Sequence, residues 1–551
     1  MLPPTNDLSL LRLSPAAASP VGVERSYGPA PDVLVFPPSV HLSPRPQSCY
    51  AATALVLAAA TLIGVIYLLP VLLAGGLEHK LLYLETPDDA LYEMRVLQIW
   101  RGNSLGNPYL AEHADAPRYM PEMVERVLAW AIRATRANPL KFIAVTRALF
   151  PALIFIFVYK LARELDLGEA AALFAGSAIT LGPSSALGGY ALRYFRVISP
   201  AAHVCLLIGA LWLMARAWRA PSWRNVAVAG VGLGLLFYTP LYYWGFAVCG
   251  CAMLALLDAR ARGALMGCCV IAVMLGLPNL LHSAHIAGDP MVHETLARLG
   301  LMVPGRLTEV GVLPRVVIGV LLSGLALWFH KSGFRWAEFT LPLALAATLM
   351  LVQNTVTDRQ IQAYHMVNCL VPLAGLVLAG FLQATHLPKS IHYGLSILLF
   401  AGAVAVQISA YSTWLRNTRS DPAQYAAETA FPNTIAWLNR ATPPGSVVVL
   451  PQALDNSVPL FTLNHTYYSH YVFQYVVSNK EVELREQTLA EWLPGKALPY
   501  RADYVVWQES RCSDSPHAGV VFRSVSEATC IFRVRPEASF EPGSRGQQGQ
   551  P

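Results

Sequence analysis

The chain has 551 residues, a formal net charge of +6, 54% hydrophobic residues and only 13% charged residues. Soluble domains carry about 25% charged residues, so this composition excludes an ordinary soluble protein, a disordered chain and a coiled coil. The basic residues occur in short groups between apolar runs and form no continuous basic face, which argues against nucleic acid as a partner. The composition therefore predicts a polytopic α-helical membrane protein.

The first part of the chain differs from the rest. Residues 1–50 are rich in Pro, Ser and Ala without apolar periodicity, which predicts a disordered tail. The tail lacks the basic start and apolar core of a secretory signal, so we expect it to stay in the cytoplasm. About eleven apolar runs come after it, and most approach the roughly 20 residues that cross a bilayer. They cover residues 51–75, 140–161, 170–187, 199–217, 226–238, 241–257, 264–281, 312–329, 334–352, 366–382 and 391–411.

The links between these runs predict the topology. With the N-terminus in the cytoplasm, every short inner link is basic, as the positive-inside rule requires. The opposite side receives a long first outer loop, residues 77–139, and everything after the last run. Of the 40 basic residues 33 are Arg, which is typical of GC-rich bacterial genomes. We therefore expect a bacterial inner-membrane protein with a cytoplasmic N-terminus. The basic inner links contain Lys160, Arg163, Arg216, Arg219, Arg224, Arg260, Arg262, Lys331, Arg335 and Lys389.

The region after the last run changes composition. Residues 51–415 form the predicted transmembrane domain, residues 420–536 a small extracytoplasmic α/β domain, and residues 537–551 a disordered tail. A helix is predicted at 434–440, with strands at 447–450, 504–507 and 530–534. Residues 510–527 are predicted to form a loop. A disulfide between Cys512 and Cys530 could tie its ends in an oxidising compartment. The aromatic residues between 467 and 475 favour strand packing, with sugar stacking as the alternative.

Two adjacent carboxylates, Asp88 and Asp89, come after the first apolar run and enter a helix-like stretch. One interpretation is structural, because Pro87 suits the first helical position and acidic residues are favourable at the positive end of the helix dipole. The other is a general base or a cation-binding pair at the membrane surface. Since adjacent side chains point to different faces of a helix, only one carboxylate is expected to contact a reacting hydroxyl.

An acidic pair followed by an aromatic residue, here Tyr92, at the head of a long first outer loop resembles the glycosyltransferase C superfamily. Residues 102–110, 112–113 and 121–122 resemble the segment after that pair in many bacterial members, and the predicted topology is similar over nearly the whole chain. The resemblance implies a sugar donor linked to a polyprenyl phosphate or diphosphate. It also implies a catalytic role for Asp88, which matches the first acidic position, with Asp89 assisting it or binding a cation.

The sequence departs from this superfamily in one respect. No clear second acidic motif occurs near residues 188–198, where metal-dependent oligosaccharyltransferases of the superfamily would supply one. This departure lowers the expectation of protein N-glycosylation and of an obligatory metal. The cofactor stays undetermined, with a divalent cation as one option.

Polar residues gather at the predicted outer ends of the later runs. Guanidinium groups there can bind a lipid phosphate bidentately, whereas the alternative for any single Arg is contact with phospholipid headgroups. A metal site at His282 and His285 is disfavoured for want of a third ligand. The predicted substrate-binding residues are Arg193, Arg196, His203, His282, Arg298, Arg306, Arg359, Gln362 and His365.

Another segment of the first outer loop, residues 123–132, has an apolar stripe opposed by charged residues, which predicts an interfacial helix. Together these features favour a membrane glycosyltransferase that moves a sugar from a polyprenyl-phosphate donor to a glycan, lipid or protein acceptor on the extracytoplasmic side, in contact with membrane lipid. The alternatives are a transporter or flippase for lipid-linked glycans, and a non-catalytic scaffold. Transporters usually carry midplane charges and repeated halves, whereas here Arg147 is the main charge within a run.

Overall fold

The protein is built almost entirely from helices, with one small sheet near its C-terminus. The computed structural model describes residues 48–73, 87–103, 105–182, 192–299, 312–357, 363–420, 431–450, 457–469, 472, 475–491, 498–508, 512 and 520–534. The predicted tails at 1–50 and 537–551 lie outside these residues, apart from the first turn of the first helix.

All eleven predicted apolar runs contain a helix, because hydrogen bonding within a helix satisfies every backbone group in an apolar environment. The helices are α1 (Ser48–Leu73), α4 (Pro139–Glu164), α5 (Glu169–Leu181), α6 (His203–Arg219), α7 (Trp223–Leu236), α8 (Leu241–Leu257), α9 (Arg262–Ile286), α11 (Val312–Lys331), α12 (Arg335–Val352), α14 (Val367–Ala384) and α15 (Lys389–Ser420).

Within the described part of the chain, eight of these helices are long and apolar enough to cross a membrane, with α6 counted together with the helical turn before it as Val197–Arg219. The other three, α5, α7 and α8, have 13, 14 and 17 residues. The polytopic helical membrane fold is therefore confirmed, but the predicted number of about eleven spans is not, because three helices fall short of roughly 20 residues.

Shorter elements lie between these helices. Asn138 caps α4 by accepting a hydrogen bond from the backbone N–H of Lys141 at 3.1 Å, and Asp289 caps the helix that Pro290 begins. The shorter elements are α2 (Pro87–Arg101), α3 (Met123–Thr135), α10 (Pro290–Arg298), α13 (Asn354–Thr357), 3₁₀ turns at Ala111–His113 and Ala363–Met366, and a π-helical turn at Val197–Ala202.

The apolar core runs through the whole helix bundle. Trp336 of α12, 1% exposed, packs so closely on α14 that a Cβ added at Gly380 would lie 2.4 Å from its indole ring. One polar group in this core is the Tyr67 hydroxyl, which donates a hydrogen bond to the Thr180 carbonyl at 2.6 Å. Close packing of this kind fixes where the helix ends lie.

The two ends of the bundle differ in chemistry. At one end Asp166, which comes after α4, pairs with Arg219 at 2.9 Å and with Arg335 at 3.2 Å. These residues belong to links that the topology predicts to share one side. At the opposite end, which we call the site end, α2 and α3 pack on the first turns of α4 and on Val197–Ala202.

The C-terminal part contains α16 (Pro432–Ala441), β1 (Val447–Val449), α17 (Ser457–Phe461), β2 (His465–Thr466), α18 (Asn479–Glu491), β3 (Tyr504–Gln508), β4 (Val520–Ser524) and β5 (Thr529–Arg533). Its strands form a five-stranded sheet in the order β2-β1-β3-β5-β4. Strand β1 is parallel to β2 and β3, whereas β5 is antiparallel to β3 and β4. The helix and three strands predicted here are confirmed. Helices α17 and α18 and strands β2 and β4 were not predicted, and β4 lies inside the segment expected to be a loop.

Cysteine and aromatic residues stabilise this part of the chain. Cys512 and Cys530 form a disulfide with their Cα atoms 6.1 Å apart, as the sequence suggested. The aromatic segment differs from its prediction, because its described residues after Thr466 are not in a strand. Its side chains pack nevertheless: Tyr467 is fully buried, and the Tyr475 ring meets the Tyr109 ring edge-on at 5.7 Å.

Candidate functional site

The first turn of α2 contains Asp88 and Asp89, because the helix begins at Pro87 as the sequence predicts. Further along the helix, Glu93 accepts a hydrogen bond from Arg147 of α4 at 2.8 Å, and both side chains are at most 3% exposed. Arg147 is the charge that the sequence places within an apolar run, and Glu93 supplies the partner that a buried charge requires.

A second buried ion pair holds α2 to α3. The guanidinium of Arg95 lies 2.8 Å from the Glu125 carboxylate, and each side chain is 2% exposed. Burial acts to lower the pKa of Arg95, but the attraction and hydrogen bond of Glu125 together with the effects of Tyr475 and Tyr92 outweigh it, so the pKa of Arg95 is raised and the side chain stays charged. Helix α3 thus has the predicted amphipathic character, with Val124, Leu128 and Ile132 on its buried face.

The C-terminal part packs on the other side of α2. Arg101 donates hydrogen bonds to the carbonyls of Pro459 at 3.0 Å and Leu460 at 3.1 Å, and Gln98 donates to the Pro459 carbonyl at 3.3 Å. Burial lowers the pKa of Arg101 to about 10. Leu460 also joins the apolar cluster that covers α2. The helix with the acidic pair is therefore enclosed between the bundle, α3 and the C-terminal part.

Three predicted substrate-binding residues lie together at the site end, and we call them, with Tyr92 and Tyr242, the polar cluster. The guanidinium carbon of Arg196 lies 5.7 Å from the centroid of the Tyr92 ring. The His365 ring stacks on Tyr242 of α8 with centroids 5.0 Å apart and planes 7° apart. His203, the first residue of α6, is 4% exposed and interacts electrostatically with Arg95 and His365.

The electrostatics of the polar cluster are cationic. Burial, followed by the charges of Arg196 and Arg315, lowers the pKa of His365 to about 3, so its imidazole is neutral at pH 7. Nδ1 of His203 and Nε of Arg193 are buried and have no hydrogen-bond partner among the described residues. Buried donors and acceptors in native proteins are normally hydrogen bonded, so an anionic or hydroxyl-bearing ligand would suit this environment.

Two of the predicted substrate-binding residues, His282 and Arg298, form structural contacts between segments of the chain. His282 Nε2 lies 2.8 Å from the Arg118 carbonyl, which ties α9 to the first outer loop. Arg298 of α10 donates to the carbonyls of Tyr475 at 3.0 Å and Val477 at 3.2 Å, which ties α10 to the C-terminal part.

Several predicted site residues have no described side-chain contacts. Arg306, Arg359 and Gln362 lie outside the described residues. For Asp88 and Asp89 the structure gives the helical backbone. Among the side chains that the structure does describe, none form a group of three or more His, Cys, Asp or Glu residues able to hold a metal.

Sequence reasoning missed some members of this site. Arg315 lies near the start of α11 and affects His365 across the bundle, and no local pattern indicates that contact. The sequence gives a weak indication of Glu93 and Arg95. Both are charged residues among the apolar positions of α2, and Arg147, a charge within an apolar run, requires a partner. Tyr242 left none, since an aromatic residue in an apolar run is usually core.

These features define an integral membrane protein whose helical bundle holds a buried cationic cluster against α2, a helix of the segment between α1 and α4. No protein-family model matches the chain, and no curated protein matches its sequence. Several solved structures resemble it, including those of two glycosyltransferases. The first is the apo form of the Archaeoglobus fulgidus oligosaccharyltransferase, with 12% identity, a TM-score of 0.51, and coverage of 84% of this chain and 70% of that chain.

The second is the arabinofuranosyltransferase AftD from Mycobacteria, with 13% identity, a TM-score of 0.52, and coverage of 91% of this chain. The match spans only 40% of that longer protein. Both neighbours are glycosyltransferase C proteins, so the resemblance predicted from the acidic pair and the topology is confirmed for the fold. At this identity the likeness establishes the fold and leaves the activity to be argued from the site.

Proposed function

We propose that the protein is a membrane glycosyltransferase that moves a sugar from a polyprenyl-phosphate donor to an acceptor on the extracytoplasmic side. The observation that carries this proposal is the juxtaposition of the polar cluster with α2, the helix whose first turn contains Asp88 and Asp89. A cationic site next to a pair of carboxylates suits a reaction in which a phosphate leaves while a hydroxyl loses its proton.

The donor phosphate binds, in this proposal, to the guanidinium of Arg196 with help from Arg193. His365 donates a hydrogen bond as a neutral imidazole, which orients the phosphate without adding charge, and His203 supplies a further hydrogen bond. Arg306, Arg359 and Gln362 stay predicted donor contacts on the basis of the sequence. His282 and Arg298 act indirectly, since their described contacts hold the first outer loop and α10 in place.

In the reaction, the acceptor oxygen attacks the anomeric carbon of the donor sugar. The bond between that carbon and the phosphate oxygen breaks, and the electron pair leaves with the polyprenyl phosphate. Asp88 accepts the proton of the acceptor hydroxyl, while Asp89 orients that hydroxyl or binds a cation. Negative charge grows on the leaving phosphate, so the cationic cluster stabilises the transition state more than the ground state. A single displacement of this kind inverts the anomeric configuration.

The test is turnover by the purified protein in lipid nanodiscs. The probes are farnesyl phosphate esters of radiolabelled glucose, mannose and arabinofuranose, mixed with a cell-envelope extract as the acceptor source, and released farnesyl phosphate is measured. We expect Asp88→Asn to lower the rate by about 10²- to 10⁴-fold at matched thermal stability. Asp115→Asn is the control, because Asp115 is an exposed carboxylate of the same loop. Parallel assays with Mg²⁺, Mn²⁺ and EDTA test whether turnover requires a divalent cation.

Two results would contradict the proposal. Equal rates for wild type and Asp88→Asn would remove Asp88 as the base. Binding of every donor without turnover would instead favour the transporter or scaffold alternative, and transport of a fluorescent farnesyl-phosphate sugar across vesicles would separate these two.

A further inference from the structure

Stability alone does not explain the buried ion pair between Glu93 and Arg147. Both side chains are at most 3% exposed, and Arg147 projects from a membrane helix. Desolvation makes a buried ion pair weak evidence for stability, and well-packed apolar residues often replace such pairs without loss. An ion pair in this position therefore indicates a requirement for a fixed geometry between α2 and α4.

Arg147 contacts two parts of the proposed site at once. One guanidinium nitrogen lies 2.8 Å from the Glu93 carboxylate of α2. The guanidinium carbon of Arg147 lies 4.7 Å from the centroid of the Phe195 ring. Phe195 directly precedes Arg196 in the chain. A single side chain of α4 thus connects the helix of the acidic pair with the segment that supplies the predicted phosphate ligands.

Helix geometry extends this connection to the first turn of α2. Asp89 is four residues before Glu93, and Asp88 is four residues before Tyr92, so each aspartate is about one helical turn from a residue held by the bundle. Tyr92 is the residue over which Arg196 lies. A shift or rotation of α2 at Glu93 would therefore displace the acidic pair relative to the polar cluster.

We propose that Glu93 and Arg147 are positioning residues that set the placement of the acidic pair against the donor phosphate. This inference rests on the proposed function, in which Asp88 is the base. A misplacement of about 1 Å can cost about 100-fold in rate, so we expect Glu93→Gln to lower kcat by about that factor while the KM for the donor changes little.

The decisive measurement is a double-mutant cycle with the base, in the same farnesyl-phosphate assay. If Glu93 acts through Asp88, the double variant Asp88→Asn/Glu93→Gln is no slower than Asp88→Asn alone, because a misplaced base costs nothing once the base is absent. Asp88→Glu replaces Asp88→Asn if the residual rate is too low to measure. A second cycle, Glu93→Gln with Arg147→Gln, should likewise give a double variant no slower than the worse single one.

A matched control separates a loss of folding from a loss of positioning. Glu481→Gln breaks another ion pair, the 2.8 Å contact with the fully buried Arg485 in the C-terminal part, and also removes the charge that faces His113 at 2.9 Å. We expect its effect on kcat to multiply with that of Asp88→Asn. Hydrogen exchange supplies a second readout: backbone amides of residues 88–92 should exchange faster in Glu93→Gln at an unchanged melting temperature.

The outcomes distinguish this inference from the function on which it rests. If Glu93→Gln keeps the wild-type kcat, or if its loss multiplies with that of Asp88→Asn, the positioning role is wrong while the transferase assignment stands. If Asp88→Asn has the wild-type rate, the assignment of the base fails first, and the positioning role fails with it. If Asp88→Asn and Glu93→Gln are both slow and their losses do not multiply, the positioning role is supported.

Discussion

The guanidinium carbon of Arg196 lies 5.7 Å from the ring centroid of Tyr92, although the two residues are separated by more than 100 positions in the chain. A desolvated contact of this type contributes about 2 kcal/mol, and it fixes the segment before α6 against α2. The predicted phosphate ligand and the helix of the acidic pair are thereby brought side by side.

Replacing Arg196 tests the predicted phosphate site. We expect Arg196→Ala to lower the rate of farnesyl phosphate release by about 10²- to 10³-fold, as when a transition-state hydrogen-bond donor is removed. Arg196→Lys should recover only part of this loss, because an ammonium group keeps the charge but cannot bind bidentately. The control is Arg260→Ala, a side chain that is 87% exposed. Full activity of Arg196→Ala would place the phosphate elsewhere.

His365 should make the stability of the protein sensitive to acid. The folded protein resists protonation of this imidazole down to about pH 3, whereas the unfolded chain binds the proton near the usual pKa of 6.5. The unfolded state therefore holds more protons between these values, and the free energy of unfolding falls as the pH decreases through this window. The contribution is at most about 1.4 kcal/mol per pH unit.

The measurement is the melting temperature in detergent between pH 7 and pH 4. We expect His365→Gln to have a shallower pH dependence than wild type, since glutamine does not titrate. His386→Gln serves as the comparison, because His386 lies in an exposed turn after α14. Parallel curves for wild type and His365→Gln would argue against a buried neutral imidazole.

Arg485 should be a principal link between the first outer loop and the C-terminal part. Its side chain is fully buried and pairs with Glu481 at 2.8 Å and with Glu112 at 3.3 Å. The guanidinium also stacks over Tyr500, with its carbon 3.8 Å from the centroid of the ring. Removal of the guanidinium takes a partner from Glu112 and leaves Glu481 with its contact to His113 at 2.9 Å, so we expect Arg485→Met to cost about 3–5 kcal/mol.

This cost should appear as a lower denaturant midpoint for the C-terminal part, measured by proteolysis at increasing urea. Arg501→Ala is the comparison, because its pair with Asp503 is half exposed and such pairs contribute about 1 kcal/mol or less. Equal midpoints for the two variants would show that the buried cluster adds little.

Helix α3 should lie at the membrane surface, as its apolar stripe predicts. One face packs on α4, whereas Val127 and Trp130 are 58% and 70% exposed on the other. Only three residues join α3 to α4, so this face is close to the start of a membrane helix. A nitroxide label at Trp130→Cys in nanodiscs should be relaxed more by oxygen than by a water-soluble nickel complex. A label at Asp115→Cys, an exposed position of the same loop, should behave in the opposite way; matching relaxation at the two positions would contradict the prediction.

Much of the fold can be predicted from local sequence. Apolar runs require helices wherever water is excluded, and Pro87 marks a helix start that the structure reproduces. The small strand β4 was missed because its residues are mostly exposed and only pairing with β5 makes them a strand. Two-residue β2 is likewise defined by its neighbours, since short strands have little propensity of their own.

The site depended on tertiary structure to a greater extent. The sequence indicates that Arg147 needs a partner and that Arg196, His203 and His365 favour an anion, because charge and hydrogen-bonding capacity are local properties. Which of these residues meet is decided by the packing of helices far apart in the chain, which joins Arg196 and His365 and directs Arg298 to the C-terminal part. Sequence thus determined the helices and the chemistry of each side chain, whereas close packing of the bundle decided which side chains share one site.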